Sequence, residues 1–217
     1  MNGPRWLYCH GFASGPRSHK GVALAEHFAA RGVTLERLDL RVPSLERLSF
    51  AAMSATVAAA LGGARDRAVV FGSSLGGLTA ARVAEADARV CALVLLAPAF
   101  RLAERWRARM SDDEWRAWES SGWLAIRDYT TGETARVHFD FIRDLAARDA
   151  GWPDVRVPTL IVHGRADDTV DPQLSRDFAR GKSWVRLVEV DDGHELVRSL
   201  PRIIAEGEAF LGPFLGR

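Results

Sequence analysis

Short apolar, β-branched runs alternate along this chain with longer stretches whose apolar residues recur at helical spacing. Leu7-Tyr8-Cys9 reads as a first strand. The stretch after it puts Leu24 and Phe28 on one helical face, with Ser18 as an N-cap, Arg31 in the last turn and Gly32 as a stop. Val33 to Leu40 reads as a second strand and Phe50 to Leu61 as a second helix. Ala68 to Phe71 is a third strand, leading through a tight turn into an Ala- and Leu-rich helix to about Ala86. Val90 to Leu96 is continuously apolar, as expected of a strand buried on both faces. Thr159 to Val162 and Val185 to Val190 are two more strands, separated by a helix from Pro172 to about Arg180, and Ser199 to Leu211 is a closing helix. Six strands separated by helices predict a doubly wound, mostly parallel α/β sheet in a single domain over residues 1–217.

The alternation stops between Arg101 and about Gly151. Here the chain shows helical periodicity, no strand pattern, and four tryptophans: Trp106, Trp115, Trp118 and Trp123. A structureless connection of that length does not suit a compact domain, so residues 101–151 predict a small helical lid inserted into the sheet domain. Ser111-Asp112-Asp113-Glu114 reads as the cap of a helix on which Trp115 and Trp118 lie one turn apart. These aromatics have two readings, as the insertion's own core and as a roof over an apolar acyl pocket, and both are expected. Trp115, Trp118, Trp123 and Phe141 are the candidate substrate-binding residues. Arg101, Arg105, Arg107 and Arg109 suggest an anionic substrate such as an acyl-CoA, but the insertion holds 9 Arg against 10 acidic residues over 101–150, which favours a solvated helix face.

Composition narrows the function classes. A chain of 217 residues has room for a full core, and 47% hydrophobic with 26% charged residues is ordinary for a globular protein. The formal net charge of +1 gives no sequence-wide footprint for nucleic acid. Of 29 basic residues only Lys20 and Lys182 are lysine, a bias that reads with the Ala richness as genome composition. No apolar run approaches the ~18 residues of a membrane span, and the first residues lack the basic and apolar regions of a signal peptide. Cys9 and Cys91 each sit in an apolar run and read as buried free thiols, which fits a cytoplasmic location.

The chemistry begins at Gly72-Ser73-Ser74-Leu75-Gly76. A Gly-x-Ser-x-Gly run between a strand and a helix has the context of a nucleophile elbow. Side chains at Gly72 and Gly76 would collide with the neighbouring helix and strand, while the turn lifts the Ser74 hydroxyl clear of the sheet. Serine needs a base to take its proton. His194, in Asp191-Asp192-Gly193-His194 after the last strand, is the candidate. His19, His27 and His138 fall on helix-like stretches with surface or packing readings, and His163 reads as structural. The imidazole in turn needs a carboxylate to fix its tautomer. Asp167, Asp168 and Asp171 compete on the loop after Thr159 to Val162, and the spacing His-Gly-x-x-Asp-x-x-Val favours Asp167. The order Ser74, Asp167, His194 is that of the α/β-hydrolases rather than of the chymotrypsin or subtilisin groups. His10-Gly11-Phe12 follows the first strand, where that fold places one oxyanion donor. The backbone N–H groups of Phe12 and Leu75 are assigned to the hole. His10, His163 and His194 lack ligand-like spacing, so no metal is expected.

Tyr8 to Phe12, Gly72 to Gly77, His163 to Asp167 and Gly193-His194 together resemble the α/β-hydrolase superfamily. The run His10 to Lys20 (His-Gly-Phe-x-Ser-x-Pro-x-Ser-x-Lys) and the Gly-Ser-Ser-Leu-Gly-Gly elbow are similar to those of small YqiA-type bacterial esterases. Phe141-Ile142-Arg143-Asp144 resembles ABHD10-like thioesterases. The resemblance implies a minimal fold that starts at the superfamily's third strand, and cofactor-free hydrolysis of a small-molecule acyl ester or thioester. The expected protein is a serine carboxylesterase acting through an acyl-enzyme. An acyl thioesterase is the alternative within enzymes, and a non-catalytic ligand-binding protein on the same fold is the alternative outside them. A haloalkane dehalogenase needs a carboxylate at the elbow and a dienelactone-type hydrolase a cysteine, so Ser74 argues against both.

Overall fold

A computed structural model of the chain describes residues 3–215. The chain runs β1 (Arg5–Cys9), α1 (His19–Ala29), β2 (Leu35–Leu38), α2 (Phe50–Ala60), β3 (Ala68–Ser73), α3 (Leu75–Ala86) and β4 (Val90–Leu96). The insertion follows, as α4 (Leu102–Arg109), α5 (Asp112–Ser121), β5 (Trp123–Arg127), β6 (Thr134–His138) and α6 (Asp140–Arg148). The chain then resumes with β7 (Thr159–Gly164), α7 (Pro172–Ala179), β8 (Val185–Val190) and α8 (Leu200–Leu211). Six strands form one parallel sheet in the order β2-β1-β3-β4-β7-β8, so every connection between them must cross a face of the sheet.

Those crossovers cover both faces, and the central strands β3 and β4 are almost wholly apolar because neither of their faces meets water. Residues alternate between two cores. Leu7, Cys9, Val70, Leu93 and Leu95 pack under α2, α3 and α7, while Trp6, Tyr8, Phe71, Val94 and Leu96 pack under α1 and α8. In β3 and β4 every residue is buried. The outer strands differ: β8 keeps five of its six positions at least partly exposed, and the predicted second strand shrinks to Leu35–Leu38 at the sheet edge, where only one neighbour pairs with it.

The insertion departs from its sequence reading in one respect. Besides three helices it contains an antiparallel hairpin, β5 paired with β6, in register from Trp123 opposite His138 to Arg127 opposite Thr134. His138 therefore ends a strand rather than lying on a helix. Each hairpin strand has five residues and one face open to water, which leaves too short an alternation to stand out between helical segments. The cap at Ser111 forms a reciprocal box. Ser111 Oγ accepts the Glu114 N–H at 3.3 Å and Glu114 Oε2 accepts the Ser111 N–H at 2.9 Å.

Candidate active site

From β1 the chain winds to β2 on one side and then crosses back to β3 on the other. Connections that diverge in this way leave a crevice beyond the carboxyl ends of the strands. The loop after β1 and the turn after β3 flank it.

The turn after β3 carries Ser74 at φ 52° and ψ −117°, strained for a residue with a Cβ and characteristic of functional sites. A Cβ on Gly72 would overlap the Gly76 and Gly77 backbone, and one on Gly76 would overlap the Cys9 and His10 carbonyls at the end of β1. The turn is closed by these two contacts, which only glycine permits. The Ser74 N–H donates to Leu96 O at 2.9 Å, which ties the turn to β4.

Ser74 Oγ lies 3.0 Å from His194 Nε2, and His194 Nδ1 lies 2.7 Å from Asp167 Oδ2. A carboxylate only accepts, so Nδ1 carries the hydrogen and the Nε2 lone pair faces the serine hydroxyl. Asp167 is buried, and its other oxygen, Oδ1, accepts the Thr169 N–H at 2.9 Å and the Val170 N–H at 2.7 Å. Burial alone would raise this carboxyl's pKa. Hydrogen bonds from His163, His194 and the Val170 N–H outweigh it and hold the group well below the usual carboxylate range. The two rival carboxylates are engaged elsewhere. Asp168 is exposed, and Asp171 caps α7 by accepting the Gln173 N–H at 2.8 Å.

Two loops hold this arrangement. Asp192 accepts the N–H groups of Gly193 at 2.8 Å and Ser199 at 2.9 Å. Lys20, only 8% exposed, donates to Glu195 O at 2.7 Å, and together these contacts fix both flanks of His194. Burial lowers the Lys20 pKa, with Glu195 opposing the shift. On the other side His10 Nε2 accepts the Leu40 N–H at 2.9 Å, so Nδ1 is the protonated nitrogen and donates to Gly11 O at 2.9 Å. Burial depresses this imidazole's pKa and keeps the ring neutral. Among the described residues the N–H groups of Phe12 and Leu75 donate to no other protein group.

Ser74 lines two cavities. One, of about 260 Å³, is a mainly apolar slot walled by Phe12, Leu75, Leu102, Trp106, Met110 and Val170, with Arg105 and Arg109 also in its lining. The other, of about 420 Å³, is a polar chamber walled by Arg17, Ser18, Lys20, Tyr129, His194 and Glu195. Of the insertion's aromatics it is Trp106 that reaches the slot. Trp115 and Trp118 pack on each other and on Phe139, and Trp118 is buried with its indole N–H on Val137 O at 3.1 Å. Trp123 packs against the guanidinium groups of Arg47 and Arg136, at 4.8 and 4.2 Å from its ring centroid. Phe141 is buried and stacks on Phe12, ring centroids 5.8 Å apart, behind the wall rather than in it.

The arginines of α4 and the turn before it divide in two. Arg101 and Arg107 form surface ion pairs with Glu104 and Asp112, as a solvated face implies. Arg105 is partly buried and donates to Thr169 O, and Arg109 donates to Asp168 O at 2.8 Å. Both therefore grip the loop that carries Asp167. Sequence reasoning did not assign Trp106, Arg105, Arg109 or Lys20 to the site. One signal was available: Leu102, Trp106 and Met110 recur every four residues, so they form one stripe of the helix.

Among the described residues no helix is long and apolar enough to cross a membrane. No group of three or more His, Cys, Asp or Glu among them could hold a metal ion.

The six-stranded parallel sheet, with its serine at a glycine-flanked turn, has the α/β-hydrolase fold, and solved structures share it. Alpha/beta hydrolase domain-containing protein 10 from mouse superposes with a TM-score of 0.80 at 20% identity, over 98% of this chain and 92% of that one. Est1E from Butyrivibrio proteoclasticus with ferulic acid bound gives 0.79 at 21% identity, over 99% and 90%. The esterase domain of a Rhodothermus marinus protein gives 0.66 at 17%, over 100% and 90%. No curated protein matches the chain by sequence. The chain belongs to the Uncharacterised protein family (UPF0227), whose model matches residues 5–206.

Proposed function

We propose that this chain is a serine hydrolase that cleaves carboxylic esters through an acyl-enzyme intermediate. The observation that carries the reading is the unbroken hydrogen-bonded line Ser74–His194–Asp167 at the mouth of the crevice. His194 takes the Ser74 proton as Oγ attacks the ester carbonyl, and Asp167 stabilises the imidazolium that forms. The oxyanion is received by the free N–H groups of Phe12 and Leu75, donors of a kind worth about 3 kcal/mol each. The imidazolium then protonates the departing alcohol, and water repeats the sequence to release the acid.

The two cavities give the substrate a direction. The leaving group must lie where His194 can protonate it, and His194 lines the polar chamber but not the apolar slot. The acyl group therefore enters the slot under Trp106, with the insertion acting as a lid, and the alcohol leaves through the chamber. Neighbours named as a hydrolase-domain protein and as esterases support the reaction class. A thioester carbonyl can be attacked by the same groups, so an acyl thioesterase is separated by substrate rather than by site.

The test is Ser74→Ala, assayed on p-nitrophenyl esters from two to sixteen carbons and on matching thioesters, together with fluorophosphonate labelling. Ester turnover and labelling should both vanish while the melting temperature stays within a few degrees of the parent. Retention of more than a few per cent of turnover by the purified variant would overturn the assignment of Ser74.

A further inference from the structure

His163 is a fully buried imidazole near the end of β7. The mechanism above does not use it, yet both its nitrogens are engaged. Nε2 lies 3.0 Å from Asp167 Oδ2 and 2.9 Å from Val170 O. Both oxygens only accept, so Nε2 carries the hydrogen and shares it between them. Nδ1 lies 2.7 Å from Ser175 Oγ on α7, a hydroxyl free to donate to its lone pair. A neutral ring satisfies all three contacts.

We propose that His163 is a positioning residue that holds Asp167 against His194, and that Ser175 in turn holds His163. The proposal rests on the reading of Ser74, Asp167 and His194 as a catalytic triad. Two imidazoles, His163 and His194, donate to one oxygen, Asp167 Oδ2, while two backbone N–H groups occupy Oδ1. The carboxylate is thus held from three directions without help from His194, and Oδ2 stays aimed as that ring moves through its protonation cycle. A neutral donor suits this place. An arginine or lysine there would fix the carboxylate equally well but would cancel much of the charge that must stabilise the imidazolium. A ring needed only to fill space would leave no reason for a hydroxyl at position 175, which is itself fully buried inside α7 and meets the ring at hydrogen-bond distance.

The experiment compares His163→Leu, His163→Gln and Ser175→Ala, each alone and combined with Asp167→Asn, using p-nitrophenyl butyrate and a fluorophosphonate probe. His163→Leu should lower kcat by about 10- to 100-fold, the range implied by losing a hydrogen bond to a charged group, with KM within about twofold of the parent. His163→Gln, whose amide can restore a donor, should recover most of that loss, and Ser175→Ala should cost less than His163→Leu. In the Asp167→Asn background each change should cost at most about twofold more, because groups that act through one another are not additive. A role in packing alone predicts the opposite pattern: a loss that multiplies in the double variants, or a rise in KM as the slot wall at Val170 shifts. Either of these, or near-parental kcat in His163→Leu, overturns the proposal. If His163→Leu does not fold, the Gln and Ser175 variants decide by the same criteria. Near-parental activity in Ser74→Ala or Asp167→Asn would instead overturn the triad itself. Loss in both of those, with none at His163, would overturn only this inference.

Discussion

Trp106→Ala gives the sharpest test of how the insertion takes part. The Trp106 ring meets Phe12 edge-on at 5.1 Å and closes one wall of the slot beside Ser74. A two-carbon acyl group extends only one methyl beyond the carbonyl, whereas an eight-carbon chain must run along that wall. A ring covering one side of the chain shields about two methylenes' worth of surface, which at about 0.8 kcal/mol per buried CH₂ is about 1.6 kcal/mol. That corresponds to about a 15-fold loss in kcat/KM at 1.36 kcal/mol per tenfold. The prediction is therefore a ratio: kcat/KM for the octanoyl ester over that for the acetyl ester should fall about 15-fold. Trp106 also packs on Trp118 and Phe141, so its loss destabilises the insertion. The ratio is immune to this, because both esters are measured on the same preparation and the folded fraction cancels. Trp123→Ala, which touches neither cavity, should leave the ratio unchanged. An unchanged ratio in Trp106→Ala, or an equal fall in Trp123→Ala, refutes the placement of the acyl chain.

Two further outcomes follow from Asp167. Asp167→Asn should cut kcat by about 10⁴-fold, as expected when a triad carboxylate becomes an amide and the histidine takes the wrong tautomer, while exposed Asp168→Asn should stay within about twofold. Comparable losses in the two purified variants would move the acid to Asp168. Because the folded state depresses the Asp167 pKa, this group's contribution to stability is complete above its ordinary value of about 4 and is lost as the pH falls towards the folded value. Urea melts between pH 5 and pH 2 should therefore show a shallower loss of stability in Asp167→Asn than in the parent, and parallel curves would contradict the direction of the shift.

The sheet was legible in the sequence because a parallel strand buried on both faces must be apolar along its whole length. Val90 to Leu96 is too short for a buried helix and reads as such a strand, and β4 has those bounds. The elbow was legible for an equally local reason, since Gly72 and Gly76 mark positions where a Cβ does not fit. Among the acidic candidates, spacing alone pointed to Asp167, and the structure brings that side chain to His194 while Asp168 faces solvent. What escaped depends on docking between distant segments. Trp106, Trp115 and Trp118 all lie on amphipathic helices, and no local pattern says which of them turns to the crevice. That is set by how α4 settles against Phe12 and Phe141, at 5.1 and 5.8 Å. The reading of His163 as structural likewise missed that it meets the carboxylate four residues on, because β7 must end and its exit loop fold back before the two can touch.

The grip of Arg105 and Arg109 on the carbonyls of Thr169 and Asp168 bears on how such a protein changes over generations. An insertion that merely roofed a pocket could be exchanged like a cassette, and substrate preference would drift freely over an unchanged core. Here the inserted helix supplies two donors to the loop that bears Asp167, so a lineage that remodels α4 also disturbs the loop beneath it. Because both acceptors are backbone carbonyls, a remodelled α4 keeps the loop in place only if it again presents donors to Asp168 O and Thr169 O, whatever side chains stand at those two positions.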